Sequence, residues 1–530
     1  MLRRPLSLVA ILLAFVLTAA ACGAGSDDDD SSADDTEPSE QSDDTATDDT
    51  ATDDTAADDE GDAASGEVVI GLTAEPANLD FTTTDGAAIP QALLDNVYEG
   101  LVALDPSGEI VPRLATDWEV SDDRLTYTFT LAEGVTFSDG AELTAEDVKF
   151  SIERVQTDWE IAIAAGMEIV ESVEVVSPTE VSVTLAEPSN SWLFAMTSRI
   201  GAIFSQTGVD DLANTAIGTG PYEVAEWNPG DSLVLAARDD YWGEAPDIET
   251  VTLRYFEDAT ALNNALLSEG IDVIAGVQAT ESLDQFTDDD RFQLIEGTTN
   301  GELVLSLNNG RAPFDDPLVR QAVISAIDRQ ALLDVVYSGL GVPIGSMVPP
   351  TDPWYEDLTG VWPYDPARAE ELLAEAGVED LSLTFDVPQL PYAVNASQVI
   401  QSQLGEVGID VELETLEFPA VWLEQVFSGH DYDMSIIAHV EPRDIGTFGN
   451  PDYYWGYDNA EVQALLAAAD TAPEDEYVAQ MQQVASTLAE DVAAGFLFVL
   501  PNLIVAETDI EGLPENAVGE ALQLRELSRS

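Results

Sequence analysis

Lysine, histidine and cysteine are almost missing from this chain. Its 530 residues include one lysine, Lys149, one cysteine, Cys22, and two histidines, His430 and His439. Lys and Arg together number 17 against 103 Asp and Glu, a formal net charge of −86. So little positive charge excludes nucleic acid as a partner and disfavours anionic lipid surfaces, because both repel such a field. Lys149 stands in Asp147-Val148-Lys149-Phe150 and not behind a glycine-rich loop, so there is no P-loop. Any ATP that powers this protein's work must be bound by another polypeptide. One cysteine rules out an intrachain disulfide and a Cys-rich zinc site, and two histidines supply a dedicated transition-metal cage poorly. A metal carried by a small chelator stays open, and no cofactor is expected. The hydrolase motifs G-x-S-x-G and H-E-x-x-H are missing too, which leaves a secreted hydrolase only a paired-carboxylate site. The chain is read as a non-enzyme.

Long apolar runs are scarce, with one exception at the N-terminus. Met1-Leu2-Arg3-Arg4 precedes an apolar stretch from Pro5 to Ala21, ending in Ala19-Ala20-Ala21 before Cys22-Gly23. A charged start, an apolar middle and small residues at the end make an export signal over residues 1–21. Residues 22–65 then collapse to Asp, Glu, Ala, Thr and Ser, a composition that cannot build a core. It reads as a self-repelling disordered linker that spans roughly 35 to 40 Å or more. Its Asp runs lack the glycine and ligand spacing of an EF-hand loop.

The densest structural signal lies between Val111 and Val155. Leu125, Tyr127, Phe129 and Leu131 alternate with threonines, the period of a half-buried strand. Ser138-Asp139-Gly140 makes a turn, and Thr144 with Asp147 reads as a capping box that starts a helix carrying Val148, Ile152 and Val155. Elsewhere Val68–Leu72 reads as a strand, 92–101 as a helix, 172–185 as two strands about Pro178, and Val304, Leu305 and Leu307 as a strand before the Asn308-Asn309-Gly310 turn. Tyr241-Trp242 reads as a packed loop plug.

The ordered stretch LATDWEVSDDRLTYTFTLAEGVTFSDGAELTAEDVKFSIERV resembles bacterial extracellular solute-binding proteins of family 5, the binding lipoproteins of peptide, dipeptide and nickel ABC importers. IGTGPYEVAEW and LVLSLNNGRAPFDDPLVRQAV extend the resemblance over most of the chain from Glu67 onward. It implies an α/β, two-lobed periplasmic-binding-protein type II fold with an extra α/β subdomain in the first lobe and a two-crossing hinge. The expected division is 66–108, 210–302 and 491–530 for lobe I, 109–209 for the extra subdomain and 303–490 for lobe II. The end of the signal resembles a lipobox, which implies a lipid on Cys22 and an extracytoplasmic protein tethered to the cell membrane by that lipid alone. Expected partners are a small solute and the permease and ATPase subunits of an importer, with the protein a monomer.

Residues 432–444, Tyr-Asp-Met-Ser-Ile-Ile-Ala-His-Val-Glu-Pro-Arg-Asp, form a buried-looking strand that ends in ionisable groups. In peptide-binding relatives this strand ends in Gly-Trp, followed shortly by an aspartate for the peptide amine. Here Ala438-His439 takes that place and the aspartate is displaced to Asp444, which counts against a peptide. His439, Glu441, Arg443 and Asp444 are candidates to hold a zwitterion or polyol; the alternative is an internal ion pair between Arg443 and Asp444 or Glu441. Trp422, Tyr454, Trp455, Glu75 and Asn308 complete the ligand candidates. Capture of a peptide-like solute, opine, sugar or chelate for import is the expected function, with ligand sensing on the same fold as the alternative.

Overall fold

The computed structural model describes residues 66–84, 86–378 and 380–530. The export signal, Cys22 and the acidic stretch to residue 65 lie outside the described residues. Among the described residues no helix is long and apolar enough to cross a membrane.

Two long antiparallel strands, Phe292–Leu307 and Gly495–Glu507, form the spine of an 11-stranded sheet. The second reads GFLFVLPNLIVAE, a nearly unbroken apolar run of the kind that a strand covered on both faces requires. On one side of the spine lie Val273–Ala275, Glu67–Leu72, Thr250–Tyr255, Ser232–Ala237 and Tyr222–Asn228, in that order. On the other lie Met434–His439, Ser382–Pro388 and Asp410–Leu416. The two sides attach to different halves of the spine. Val273–Ala275 pairs with residues 504–506, whereas Met434–His439 pairs with residues 302–307. Between the halves the spine's own pairing slips, from Thr298 opposite Pro501 to Glu302 opposite Val499, and again between Leu303 and Val304. Such irregularities bend and twist a ladder locally.

A separate four-stranded antiparallel sheet has the order Ala115–Val120, Thr126–Leu131, Glu180–Leu185, Val170–Ser177. Tyr127, Phe129 and Leu131 turn inward and pack with Val148, Ile152 and Val155 of the helix Ala145–Asp158. The box that starts this helix is formed: the Thr144 N–H and hydroxyl both donate to Asp147 Oδ2 at 2.9 Å. The helix expected over 92–101 is shorter and earlier, Ala88–Leu93. Asp95 sits at φ 61°, and the Asn96 side chain donates to the Ala92 and Leu522 carbonyls, so a turn replaces the helix. Glu99, three residues on, is buried and accepts from Thr219, Tyr241 and Trp242. Tyr241 and Trp242 therefore seal an internal carboxylate.

The C-terminal half of the spine separates two cores by simple alternation. Leu303, Leu305 and Leu307 face one with Met434, Ile436 and Ala438; Val304 and Ile437 face the other, which is dominated by aromatic residues. On the aromatic side the helix Ala460–Thr471 reaches the loop before the short helix Ser191–Ala195. There Asp470 Oδ1 accepts from the Asn190 and Ser191 N–H groups at 3.1 and 2.9 Å and from the Ser189 hydroxyl at 3.2 Å. Asn190 Nδ2 donates to the Ala469 and Ala472 carbonyls, and Arg124 donates to that of Thr471.

Candidate functional site

His439 is the last residue of the fully buried strand Met434–His439, and strand alternation turns it toward the aromatic core. Opposite it in register is Glu302, the first residue of the spine after the irregular segment. Beyond the strand, Arg443 takes a left-handed conformation (φ 59°), which brings the chain back so that Asp444 Oδ2 lies 2.9 Å from His439 Nδ1. His439 Nε2 is 2.9 Å from the Tyr454 hydroxyl, and the Ser306 hydroxyl donates to that same oxygen at 2.7 Å. A carboxylate only accepts, so the relay has one direction. Ser306 donates to Tyr454, Tyr454 to His439 Nε2, and His439 Nδ1–H to Asp444. Trp455 flanks the imidazole at 4.8 Å and stacks on Phe448 at 4.5 Å, which fixes the ring.

Arg443 pairs with Asp352, Nε to Oδ1 at 3.4 Å. Its guanidinium lies 3.6 Å from the centre of the Phe194 ring and 4.8 Å from that of Trp354. The ion-pair alternative thus finds a partner, Asp352, that neither Glu441 nor Asp444 foreshadowed. Phe194 belongs to the segment that Asp470 holds, so the cation is clamped between the two sides of that junction.

Carboxylates crowd these groups. Glu302 is 2% exposed, and the Asp352 and Asp444 side chains are 10% and 9% exposed. One oxygen of each, Glu302 Oε2, Asp352 Oδ2 and Asp444 Oδ1, has no hydrogen-bond partner. Burial, reinforced by Asp444, Asp352 and Glu441, pushes the Glu302 carboxyl well above the ordinary range. Burial also raises Asp352, to about 6, against the pull of Arg443. In addition, His439, Glu441 and Asp444 each offer one ligand atom, all within 4.8 Å of one another. Two donors lying trans across an ion at about 2.4 Å are about that far apart.

Of the residues singled out in the sequence, the structure gathers His439, Arg443, Asp444, Tyr454 and Trp455 here, with Glu441 beside them. Trp422 borders Tyr454 at 5.9 Å, but it is fully buried and its indole N–H is spent on Ser435. Asn308 works inside a turn, donating to the His430 and Tyr432 carbonyls and accepting from Gly310. Glu75 is exposed and accepts from the Gly230 N–H in a turn of the other half of the sheet. Sequence reasoning missed Glu302, Asp352, Ser306 and Phe194. A visible signal existed for Glu302, a lone charge opening the run ELVLSL.

The family described as bacterial extracellular solute-binding proteins, family 5 Middle, matches residues 109–457. The chain is similar to the glutathione-binding protein GsiB of Salmonella paratyphi A, at 31% identity over 350 residues, which is 64% of this chain and 68% of that protein. Among solved structures, an ABC transporter substrate-binding protein from Sinorhizobium meliloti superposes with a TM-score of 0.74 at 25% identity, covering 88% of this chain and 100% of that one. The periplasmic binding protein DppA from Helicobacter pylori, in complex with the peptide STSA, gives 0.70 at 22% identity, covering 88% and 98%.

Proposed function

We propose, from the premise that this chain belongs to the bacterial extracellular solute-binding proteins of family 5, that it is the receptor of an ABC importer, closing two lobes around a small solute at the His439–Asp444 cluster. The fold is of the periplasmic-binding-protein type II kind shared with its structural neighbours. Lobe I is assigned to residues 66–108, 210–302 and 491–530 with a subdomain at 109–209, and lobe II to 303–490. The two spine strands are the crossings between the lobes, and the slipped pairing between Thr298 and Leu303 is where they flex. A lipid on Cys22 holds the protein outside the cell membrane, and the acidic linker gives it reach toward the permease.

One observation carries the placement of the solute. The cluster holds buried carboxylate oxygens without partners, and buried polar groups are nearly always paired, so these three await a ligand. Relatives named for glutathione and for peptides make a small zwitterionic or peptide-like solute the leading class. Native mass spectra of the full chain, purified without denaturation, test the reading. An adduct that disappears on unfolding and is lost in a His439→Ala variant is expected. If no adduct forms and no peptide, opine, sugar or chelate shifts the melting temperature, the receptor reading fails. Labelling with a radioactive fatty acid, abolished in Cys22→Ser, tests the anchor.

A further inference from the structure

We infer that residues 189–191 and the end of the helix Ala460–Thr471 form a latch between the two lobes, which holds the receptor closed from outside the solute cluster. This rests on the receptor reading above, which assigns Arg124 and residues 189–194 to lobe I, and Arg443 and residues 469–472 to lobe II.

A helix leaves most of its last carbonyls without a partner of its own. Here four carbonyls in succession accept from across the junction. Asn190 Nδ2 donates to those of Ala469 and Ala472 at 2.7 and 2.9 Å, and the Asn190 N–H to that of Asp470 at 2.8 Å. Arg124 Nη1 donates to that of Thr471 at 2.8 Å, placing a cation at the negative end of the helix. Arg124 also donates to Asn190 Oδ1, so the amide has one orientation, its oxygen toward the guanidinium and its N–H groups toward the helix. The Asp470 carboxylate completes the contact by accepting from the Ser189 hydroxyl and from the Asn190 and Ser191 N–H groups.

Such a contact can open without damage to either side. Asn190 and Asp470 are half-buried and Ser191 and Thr471 are exposed, so water replaces each bond when the lobes part. Polar, partly hydrated junctions are the kind along which domains move. Each half of the latch is nevertheless anchored. Trp192 is buried against Tyr127 and Phe129, with ring centres 4.8 and 6.3 Å away, and the Tyr127 hydroxyl donates to the Ser189 carbonyl. On the other side Ala469 and Val462 are buried in the aromatic core.

Both halves lead to the solute cluster. The helix Ala460–Thr471 packs on residues 444–449, sharing a core with Ile445 and Phe448, and Leu466 reaches Gly449 so closely that a Cβ there would meet it at 3.1 Å. Asp444 opens that segment and holds His439. Phe194, in the same short helix as Ser191, covers Arg443. Closing the latch and setting Asp444 and Arg443 are therefore one event. A solute that binds only the closed form has an apparent affinity proportional to the closed fraction, so Asp470 tunes affinity without touching the solute.

The test is pulsed electron paramagnetic resonance on the full chain, with no solute added. Nitroxides are placed at Val176→Cys and Val335→Cys, both exposed and one in each lobe, with Cys22→Ser to keep the labels to two. The parent should show mainly its shorter distance. Asp470→Ala, which removes three bonds, should raise the longer-distance population relative to the shorter by roughly tenfold or more. Arg124→Ala, at a surface turn, should shift the ratio in the same direction and decides the matter if Asp470→Ala fails to fold by circular dichroism. Asp470→Asn keeps an acceptor in place and should stay near the parent. The inference is overturned if the distance distributions of the folded variants coincide with the parent's, or if Asp470→Asn opens the protein as far as Asp470→Ala. The native-mass adduct of the wild type needs no latch and decides the receptor reading separately.

Discussion

Replacing Glu302 by glutamine should stabilise the ligand-free protein, and by an amount that grows with pH. Glu302 is buried among Asp444, Asp352 and Glu441, and its carboxyl is raised well above the model-compound value of 4.5. A carboxyl with a raised pKa favours the native state most below its unfolded pKa, and that advantage drains away as pH rises toward its folded value. While Glu302 stays protonated in the fold, each pH unit above its unfolded pKa costs about 1.4 kcal/mol of stability. Glutamine has nearly the shape of the protonated acid and escapes this cost. A folded region of this length unfolds with an entropy of about 1 kcal/mol per kelvin, so each such pH unit corresponds to about 1.4 °C in Tm. At pH 4 the two proteins should melt together. Calorimetric scans of both at pH 4, 5.5 and 7 read this directly. A variant less stable at pH 7, or a difference that does not change with pH, would refute the reasoning.

Three further outcomes rest on other parts of the fold. Glu99→Ala strands the Thr219 hydroxyl, the Tyr241 hydroxyl and the Trp242 indole N–H, and should lower stability by roughly 3 kcal/mol in denaturant titration, with Glu99→Gln recovering part of the loss. Asp470→Ala removes the acceptor of two N–H groups and one hydroxyl in residues 189–191, a loss of about 2 kcal/mol that should appear as faster amide exchange of Asn190 and Ser191, with the strand Met434–His439 unchanged. Gly218→Ala puts a Cβ 1.8 Å from the Val97 carbonyl oxygen, a backbone atom that cannot yield, and should cost about 3 kcal/mol or more, read as a lower Tm or insoluble protein.

How legible the molecule was in its sequence depended on whether a signal was local. The strand Thr126–Leu131 and the box at Thr144 were readable because alternation and a cap need only their own neighbours. The helix expected over 92–101 failed where tertiary partners overrode spacing, with Asn96 claimed by Leu522 and Glu99 by Thr219, Tyr241 and Trp242. The spine was recognised only at its end. Its middle, GTTNG, is rich in the residues of turns, yet the strand continues through it, and Gly297 admits the Glu515 carbonyl so closely that a Cβ there would clash with it. In the site, His439 to Asp444 was visible as one stretch. Glu302 lies 137 residues before His439, and Asp352 and Phe194 lie 91 and 249 residues before Arg443, so nothing local announces that they meet.

Placement of Glu302 joins the site to the proposed motion. It is the first residue of the spine after the slipped pairing, so its backbone adjoins the segment proposed to flex while its side chain lies in the proposed solute cluster. Burial among Asp444, Asp352 and Glu441 raises the Glu302 carboxyl, while Arg443 pulls against the rise of Asp352. Meanwhile the Asp470 contacts and the Arg443–Phe194 stack hold the far side of the junction. A ligand can shift an open–closed equilibrium only by its difference in affinity for the two states. Charge that is tolerable when hydrated and costly when buried supplies such a difference, so in the proposed receptor closure and recognition would draw on the same carboxylates.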